Sequence, residues 1–502
     1  MALPKILGLE TEFGIIHRGT PEPNPISASS LLINAYVNDL ERAAGRTTAP
    51  KVGWDFEDES PANDARGISP YGALPPEVET HLVNAVLTNG ARYYVDHAHP
   101  EMSGPECADA RSVVRYDKAG EAIVRRSMEA ARRLLPEGQE LVVYKNNSDR
   151  KGNSYGTHEN YLMDRQVPFG RIAAHVMPHF ISRQIFTGAG KVGSEAGGLD
   201  QRVPFQLTQR ADFFEEEVGL ETTLKRPIVN TRDEPHADAQ KYRRLHVIVG
   251  DANLSEVATF LKVGTTAMVL CMIEDDVLTR DLTYASPVWA LRQVSYDLSL
   301  SAALPMADGT SMTALEVQWE LYDQARKYAD ERGVACIGEA SGAEVLDRWE
   351  QVLTGLETDP GSLAGQLDWV AKHRLIDGYR QRHDLAWDDA RLAAMDLQYH
   401  DLRPEKSLYE RLGMERLVDD DEVLAAETTP PPDTRAYFRG TCLARWPADI
   451  VAANWDSLVF DLGGDPLRRV PMMEPTRGTV EHVGSLLDEV TSAAELHDRL
   501  GY

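Results

Sequence analysis

Cysteine is scarce in this sequence. Its 502 residues include four cysteines (Cys107, Cys271, Cys336 and Cys442), and no two of them form a CxxC pair. A zinc site built from closely spaced thiolates is therefore excluded, and the spacing indicates no disulfide framework.

Positive charge is also in short supply. Lysine and arginine total 52 against 79 acidic residues, which gives a formal net charge of -27. General affinity for nucleic acid needs clustered Lys and Arg, so we expect no nucleic-acid partner. The same acidity repels other acidic macromolecules unless a local basic groove exists.

Long hydrophobic runs are missing as well. No apolar stretch approaches the roughly 20 residues of a membrane helix. The N-terminus leads into an alternating strand and has neither the charged nor the apolar region of a signal peptide. We therefore expect no membrane association and a cytoplasmic location.

Common nucleotide-binding motifs are absent too. Residues 188–194 differ from a P-loop, because Ile185 stands where the first glycine should be and Val192 follows Lys191. No GxGxxG segment follows a predicted strand. These residues are better interpreted as a flexible loop, and any use of ATP would require another fold.

What is present is a mixture of strand and helix periodicities, which predicts an α+β fold. Hydrophobic content is 42% and charged content 26%, both ordinary for a globular protein. Strands are predicted at residues 5–16, 92–96, 140–144, 159–163 and 241–249. Helices are predicted at residues 27–44, 109–134, 254–276, 313–332, 343–356 and 361–381.

The domain organisation is predicted from length and from breaks in these patterns. A chain of this length suits one large domain with a smaller one, or two to three domains. Residues 45–76 are rich in Gly, Pro and acids, which is typical of a functional loop or a flexible insertion. The proline-rich residues 427–434 are the best linker candidate. We therefore expect a catalytic domain at 1–426 and a small domain at 435–502.

Two glutamates stand out in the first strand. Glu10 and Glu12 are two residues apart, so both side chains project from one face. Paired carboxylates repel each other unless a cation lies between them, and oxygen ligands suit Mg²⁺. A solvated strand face is the more common explanation for an isolated Glu-x-Glu.

A second polar cluster follows the strand at 92–96. Tyr94 and Asp96 share a face by period two, and Pro100 places Glu101 on the turn beyond. Asp96 could serve as a nucleophile or a base, and Glu101 could complete a metal shell. An ordinary polar strand end is the alternative.

Two further clusters lie on later strands. His158 sits in a polar strand that follows Gly156, while Arg244 and His246 share one strand face. A guanidinium beside an imidazole suits phosphate and metal binding, respectively. Taken singly, each of these residues is more often structural.

Together the clusters resemble the enzymes of prokaryotic ubiquitin-like protein (Pup) modification, within the glutamine synthetase-like carboxylate-amine ligase superfamily. The resemblance spans the chain in six ordered segments: 8–14 (GLETEFG), 99–101 (HPE), 154–161 (SYGTHENY), 226–238, 243–256 and 454–461 (NWDSLVFD). The insertion at 45–76 and the VDHAH form of residues 95–99 are similar to the deamidase/depupylase branch of that family.

The resemblance implies a large domain with a curved, mostly antiparallel sheet packed by helices, plus a small C-terminal domain. It implies ATP, or ADP plus phosphate, with Mg²⁺ as cofactors, and Asp96 as the catalytic residue. Implied metal ligands are Glu10, Tyr94, Glu101, His158 and His246. Implied nucleotide contacts are Glu10, Glu12, Ser103, Gly104, Arg244 and Trp455, with the backbone around Ser103 and Gly104 meeting phosphate.

The implied activity is hydrolysis of the C-terminal glutamine amide of Pup and of the isopeptide bond between Pup and substrate lysines. The implied partners are Pup and pupylated proteins, with a link to the bacterial proteasome system. Because Pup is acidic, we expect a local basic groove, for which the candidates are Arg202, Arg210, Arg226 and Arg232.

Three alternatives stay open. The chain could be an ATP-consuming Pup ligase, a small-molecule glutamate-amine ligase or an inactive Pup-binding adaptor. The intact Asp96 and the full set of ligand-type side chains argue against the adaptor, because a binding module has no need of them.

Overall fold

Strands and helices alternate irregularly along the chain. The computed structural model describes residues 1–43, 45, 52–57, 59–67, 83–195, 203–464 and 466–501. The strands are β1 (Leu7–Glu12), β2 (Gly14–Arg18), β3 (Gly53–Trp54), β4 (Asn84–Val86), β5 (Arg92–Asp96), β6 (His99–Ser103), β7 (Glu140–Tyr144), β8 (Thr157–Asp164), β9 (Lys191–Val192), β10 (Phe205–Gln206), β11 (Phe214–Gly219), β12 (Arg226–Asn230), β13 (Tyr242–Val247), β14 (Leu304–Pro305), β15 (Ser311–Met312), β16 (Ile450–Ala453), β17 (Ser457–Phe460) and β18 (Arg468–Pro471).

The helices range in length from 4 to 23 residues. They are α1 (Pro25–Ala43), α2 (Ala110–Arg132), α3 (Phe169–Ser182), α4 (Gln184–Thr187), α5 (Glu256–Glu274), α6 (Pro287–Tyr296), α7 (Ala314–Arg332), α8 (Glu339–Thr358), α9 (Asp368–Arg382), α10 (Ala390–Tyr399), α11 (Asp420–Ala426), α12 (Ala436–Arg445), α13 (Val480–Glu489) and α14 (Ala493–Leu500).

The main sheet has the strand order β13-β8-β1-β6-β5-β4, and every neighbouring pair is antiparallel. Alternation gives it two different faces. Leu7 and Leu9 of β1 lie in the hydrophobic core with Tyr161 of β8 and Leu245 of β13. The α+β class and the mostly antiparallel main sheet are therefore confirmed.

The first predicted strand is really two strands. β1 belongs to the main sheet, whereas β2 pairs with β7 in a separate two-stranded sheet. The change of partner occurs at Phe13, whose N–H donates to the carbonyl of Pro100. Gly14 permits it, because a Cβ there would lie 2.6 Å from the Tyr155 hydroxyl.

Helix α5 crosses the centre of the core. By length and composition alone it could span a membrane, and all of its apolar window is buried inside the protein. The expectation that no apolar run approaches membrane length is thus wrong. Its burial by α2, α3 and α8 gives the physical reason for its composition, since a helix enclosed on all sides is apolar all round.

The other predicted elements are found with shifted ends. The predicted helix at 361–381 is divided by the extended Leu367 into a 3₁₀ turn at Pro360–Gly365 and α9. Residues 188–194, expected as a flexible loop, contain β9 and are largely buried. Lys191 there is 3% exposed.

The insertion at 45–76 is not structureless where the structure describes it. Within residues 52–67, β3 pairs in parallel with β16, and Trp54 is buried. Farther along, Ala65 N–H donates to the Thr231 carbonyl over 2.8 Å. The expected flexibility of the remaining insertion falls on residues outside the described ranges.

The C-terminal residues supply three strands of a four-stranded sheet of order β18-β17-β16-β3, and β3 of the insertion supplies the fourth. Helices α12, α13 and α14 cover this sheet around an apolar cluster of their own. The segment 427–434 is closely packed against the catalytic part: Tyr116 donates to the Thr429 carbonyl and Thr434 to that of Glu106, over 2.9 and 2.7 Å. The division into domains at 426 and 435 stays a prediction.

Candidate active site

The polar face of the main sheet gathers most of the predicted site residues. In β1 the burial alternates, with Glu10 and Glu12 on the side opposite Leu7 and Leu9. The register places Glu10 opposite both Ser103 of β6 and His158 of β8. Residues directly opposite each other in antiparallel strands share a face, so distant segments of the sequence meet here.

The first cluster is formed by Glu10, His158 and His246, whose ligand atoms all lie within 4.8 Å of one another. Glu10 Oε2 is 3.5 Å from His158 Nδ1. Asn160 donates to Glu10 Oε1 over 2.7 Å and accepts from Arg244 Nη1 over 2.5 Å. One carboxylate and two imidazoles are thus held together, a donor set that can bind a divalent metal ion.

The pKa shifts in this first cluster favour binding of a cation. Burial alone would raise the pKa of Glu10, but hydrogen bonding with His158, together with the Arg244 charge, outweighs burial and holds that pKa well below its usual value. Burial, reinforced by the Arg244 charge, lowers the pKa of His246 well below its usual value. A charged carboxylate and a neutral imidazole are the forms that bind metals.

Gly156 explains how His158 reaches its place. A Cβ on Gly156 would lie 2.2 Å from Nε2 of His158, so any other residue at this position would force the His158 ring to move. The glycine therefore serves a close approach of backbone to ring, and the Gly156–His158 spacing noted in the sequence acquires a physical reason.

The second cluster consists of three carboxylates. Ligand oxygens of Glu12, Asp96 and Glu101 lie within 4.8 Å of one another. Burial, reinforced by the charges of Asp96, Glu12 and Glu10, raises the pKa of Glu101 well above its usual value. This crowding would be relieved by a hard cation such as Mg²⁺, so the residues fit that ion.

Asp96 is a half-buried carboxylate of this second cluster. It ends β5 opposite His99 in a tight hairpin whose loop residue His97 has a φ of 52°. Its side chain is 37% exposed, and its Oδ2 is 2.8 Å from His97 Nδ1. Glu12 is half-buried as well, whereas Glu101 is buried, so Asp96 and Glu12 are the carboxylates of this cluster that a substrate can reach.

Tyr94 lies on the same face but in neither cluster. It pairs with Glu101 across β5 and β6, and its hydroxyl is 3.4 Å from Ser103 Oγ. Burial, together with the Glu101 charge, raises its pKa well above the usual value. Its oxygen would therefore meet a metal as a neutral hydroxyl.

Two cavities open onto this face and meet at Glu10. The larger has a volume of about 900 Å³ and is lined by Glu12, Tyr94, Asp96, Glu101, His158 and His246. The smaller is lined by Ser103, Gly104, Arg244 and Trp455. The residues predicted to bind metal or to act in catalysis thus line the larger cavity. The residues predicted to bind the nucleotide line the smaller cavity, with the exception of Glu12.

The backbone around Gly104 was expected to contact phosphate, but its amide already has a hydrogen-bond partner. The Gly104 N–H already donates to the Leu9 carbonyl over 2.8 Å. Ser103 lies in β6, between β1 and β5. The Ser103 hydroxyl and the Arg244 guanidinium are polar groups that line the smaller cavity at this point.

Of the predicted basic groove, Arg210, Arg226 and Arg232 line the larger cavity. Arg210 is only 1% exposed and donates to the Ile248 carbonyl, so it belongs to the cavity wall and not to an open surface. Arg202 lies outside the described residues.

Several site residues escaped the sequence analysis. Asn160 connects Glu10 with Arg244, and Arg92 stacks on Tyr94 and Trp54, with its guanidinium carbon 3.8 and 4.0 Å from the ring centroids. Period two could have found both, because Asn160 follows His158 by two residues and Arg92 precedes Tyr94 by two. Trp54 also contacts Trp455 edge-on, with the two ring centroids 5.3 Å apart. No pattern in the sequence around Trp54 indicates that it lies near the site.

Comparison with known proteins agrees with this geometry. The sequence profile described as Pup-ligase protein matches residues 5–459. The chain is 53% identical over 504 residues to a depupylase of Acidothermus cellulolyticus, covering 98% of each chain. It is 51% identical over 510 residues to a Pup deamidase/depupylase of Mycolicibacterium smegmatis, covering 99% of this chain and 100% of that one.

Pup ligases are similar at lower identity. A Pup–protein ligase of Xylanimonas cellulosilytica is 42% identical over 425 residues, covering 81% of this chain and 90% of that one. Among solved structures, a complex of Pup with its ligase PafA has a TM-score of 0.80 at 32% identity, covering 99% of this chain and 94% of that one.

A second solved structure, PafA in complex with ADP, has a TM-score of 0.73 at 35% identity, covering 81% of this chain and 89% of that one. Sequence profile, relatives and structures all indicate the same group of enzymes. This chain belongs to the Pup-ligase protein family.

Proposed function

We propose that this protein hydrolyses side-chain amides of Pup: it deamidates the C-terminal glutamine and cleaves the isopeptide bond between Pup and substrate lysines. The observation that carries the proposal is the accessible Asp96 beside Glu12 and Glu101 in a cavity of about 900 Å³. Relatives named depupylase are 51 and 53% identical, against 42% for a ligase, which supports hydrolysis over ligation.

We further propose ATP, or ADP plus phosphate, with Mg²⁺ as cofactors. Glu10, His158 and His246 would hold one ion, and Glu101 and Glu12, with the neutral Tyr94 hydroxyl, would contribute beside it. Arg244, Ser103 and Trp455 would contact the nucleotide from the smaller cavity. When bound, the ion supplies positive charge that polarises a carbonyl and offsets the crowded carboxylates.

Asp96 performs the chemistry in one of two ways. Its carboxylate attacks the side-chain carbonyl carbon, the C–N bond breaks, and ammonia or the lysine amine leaves after gaining a proton; water then hydrolyses the resulting anhydride. Alternatively, Asp96 takes a proton from the water that attacks. Trapping with hydroxylamine distinguishes the two, because attack on the aspartyl carbonyl of an anhydride leaves a hydroxamate on Asp96, which general-base catalysis cannot form.

Recognition of Pup is assigned to the positive wall of the larger cavity. Arg226 and Arg232 line this cavity together with the buried Arg210. In a chain of net charge -27, such a local concentration is what an acidic partner requires. We place the reaction in the cytoplasm and link it to the bacterial proteasome system.

The test is direct. Pup ending in glutamine is incubated with the protein, ATP and Mg²⁺, and its mass is followed; a gain of about one mass unit means deamidation. A Pup conjugate is tested in parallel for release of free Pup. Formation of one ADP per new conjugate would instead identify a ligase, and binding of Pup without any change would identify an adaptor.

A further inference from the structure

The hairpin between β5 and β6 carries a histidine that the proposed function does not use. Two residues, His97 and Ala98, join Asp96 to its partner His99. Two-residue hairpin loops commonly need a positive φ, which favours glycine, asparagine and aspartate. His97 takes such a conformation, with a φ of 52°, and this is uncommon for residues other than glycine. A histidine at this position therefore needs an explanation beyond the turn itself.

The loop is held in place from both ends. Ser29, a fully buried residue of α1, donates through Oγ to the Ala98 carbonyl over 2.9 Å. His99 Nδ1 donates to the Phe13 carbonyl over 3.0 Å, and the His99 ring stacks on Tyr155 with 4.4 Å between the centroids. The loop backbone is thus fixed against α1 and against the junction of β1 with β2.

The ring of His97 contacts one oxygen of Asp96. His97 Nδ1 lies 2.8 Å from Asp96 Oδ2. Because an ionised carboxylate only accepts hydrogen bonds, Nδ1 carries the hydrogen in this contact. Oδ1 of Asp96 receives no hydrogen bond from the part of the chain that the structure describes. One oxygen of the carboxylate is therefore held by His97, and the other is left to react.

This contact does little for the stability of the fold. The side chains of His97 and Asp96 are 71 and 37% exposed, and ion pairs between exposed side chains contribute little because water screens them. A residue other than glycine in the left-handed region carries a conformational cost, and such residues cluster at active sites. Fold stability alone does not favour histidine here, which is consistent with a role in the chemistry of the neighbouring carboxylate.

We propose that His97 is a positioning residue for the hydrolysis: its Nδ1–H holds Asp96 Oδ2, so that Asp96 keeps one side-chain orientation and presents Oδ1 to the substrate. Both residues line the larger cavity. A carboxylate reacts faster when its orientation is set before the substrate arrives, and small misplacements lose much of that rate. The inference rests on the proposed function, and it holds whether Oδ1 attacks the carbonyl carbon or takes a proton from water.

Three variants separate positioning from a role in the turn. His97→Gly removes the ring and suits a positive φ, so it should fold at least as well as the wild type. His97→Asn also tolerates a positive φ and keeps a side-chain N–H donor. His17→Asn is the matched control, because His17 lines the same cavity and its ring contacts Gln139 Oε1 instead of Asp96.

Turnover of Pup ending in glutamine is measured in each variant over a range of Pup concentrations. His97→Gly should lower kcat about 10- to 100-fold, with KM for Pup and the melting temperature near their wild-type values. His97→Asn should recover part of the lost kcat, and His17→Asn should match the wild type. A histidine needed only for the turn would leave kcat unchanged in His97→Gly, and that result would overturn the proposal.

A second measurement does not depend on turnover. Carboxyl groups are labelled with a carbodiimide and glycinamide, and the labelling rate of Asp96 is read by mass spectrometry of peptides. Loss of the Nδ1–H contact in His97→Gly should raise this rate severalfold, whereas the rate at Asp39 of α1 should stay constant. Equal labelling of Asp96 in both proteins would refute its being held by His97. Absence of hydrolysis by the wild type, with Asp96 protected, would count against the proposed function alone.

Discussion

Glu10 and His158 lie directly opposite each other in neighbouring strands, with Glu10 Oε2 3.5 Å from His158 Nδ1. The second oxygen of Glu10 accepts from Asn160, two residues farther along β8, over 2.7 Å. One strand thus fixes both oxygens of one carboxylate. The position of the proposed metal site depends on β8 as much as on Glu10 itself.

The variant Asn160→Leu tests this dependence. It keeps a similar volume but removes the amide that bonds to Glu10 and Arg244, so Glu10 loses its fixed orientation. Loss of a supporting hydrogen bond is expected to weaken Mg²⁺ binding about 10-fold. Titration calorimetry measures it, and Asn38→Leu on the exposed side of α1 is the control. Equal affinities in the two variants would contradict the assignment.

Asp96→Asn should abolish cleavage and leave nucleotide binding unchanged. The substitution removes the nucleophile or base while keeping size, and such a group contributes roughly 10²- to 10⁴-fold to rate. The mass assay with glutamine-ending Pup follows turnover, and calorimetry follows ADP. Because Asp96 is 37% exposed at a strand end, folding should be unaffected. Unchanged turnover in this variant would contradict a catalytic role of Asp96.

Trp455→Ala should weaken ADP binding about 10-fold, since an aromatic face beside a base contributes by stacking. Trp455 lines the smaller cavity, and the guanidinium carbon of Arg439 lies 5.1 Å from its ring centroid. Trp289→Ala, at an exposed position of α6, is the matched control and should bind ADP normally. Similar losses in both variants would show a general effect of tryptophan removal.

Glu106 makes a predictable contribution to acid stability. Burial alone would raise its pKa, but the charges of Arg439 and Arg435 outweigh burial and lower the pKa to about 2. A depressed carboxyl pKa stabilises the fold above the unfolded value and loses this effect as pH falls through the folded value. The shift from 4.5 corresponds to roughly 3 kcal/mol.

The variant Glu106→Gln measures that contribution. Its deficit in unfolding free energy relative to wild type should be largest above pH 5 and should shrink steadily toward pH 2, where Glu106 itself becomes neutral. Denaturant melts at four or five pH values give the curve. A deficit that is independent of pH would mean that packing and not charge explains the effect.

Sequence patterns could predict the strands that carry the site, because alternation in residues 7–12 and 92–96 reports directly on which side chains share a face. They could not predict which strands are neighbours. Glu10 meets His158 through the register between segments about 150 residues apart. The two clusters, one of a carboxylate with two imidazoles and one of three carboxylates, likewise appear only in three dimensions.

The insertion was beyond prediction for a different reason. Residues 52–67 have few apolar side chains, so their local pattern is that of a loop. Their order comes from partners elsewhere: β16 for Gly53 and Trp54, and the carbonyl of Thr231 for Ala65. Helix α5 shows the converse, since an apolar sequence that could span a membrane is enclosed by other helices.

The parallel pairing of β3 with β16 imposes an order on events during synthesis. Gly53 leaves the ribosome about 400 residues before its partner Ala452, and at 5–20 residues per second the wait is roughly 20 to 80 s. During this time Trp54 has no C-terminal sheet to join. Trp455, which lines the smaller cavity and touches Trp54 edge-on, is synthesised at the same late stage, so this aromatic contact forms only after the strands of the C-terminal sheet have been made.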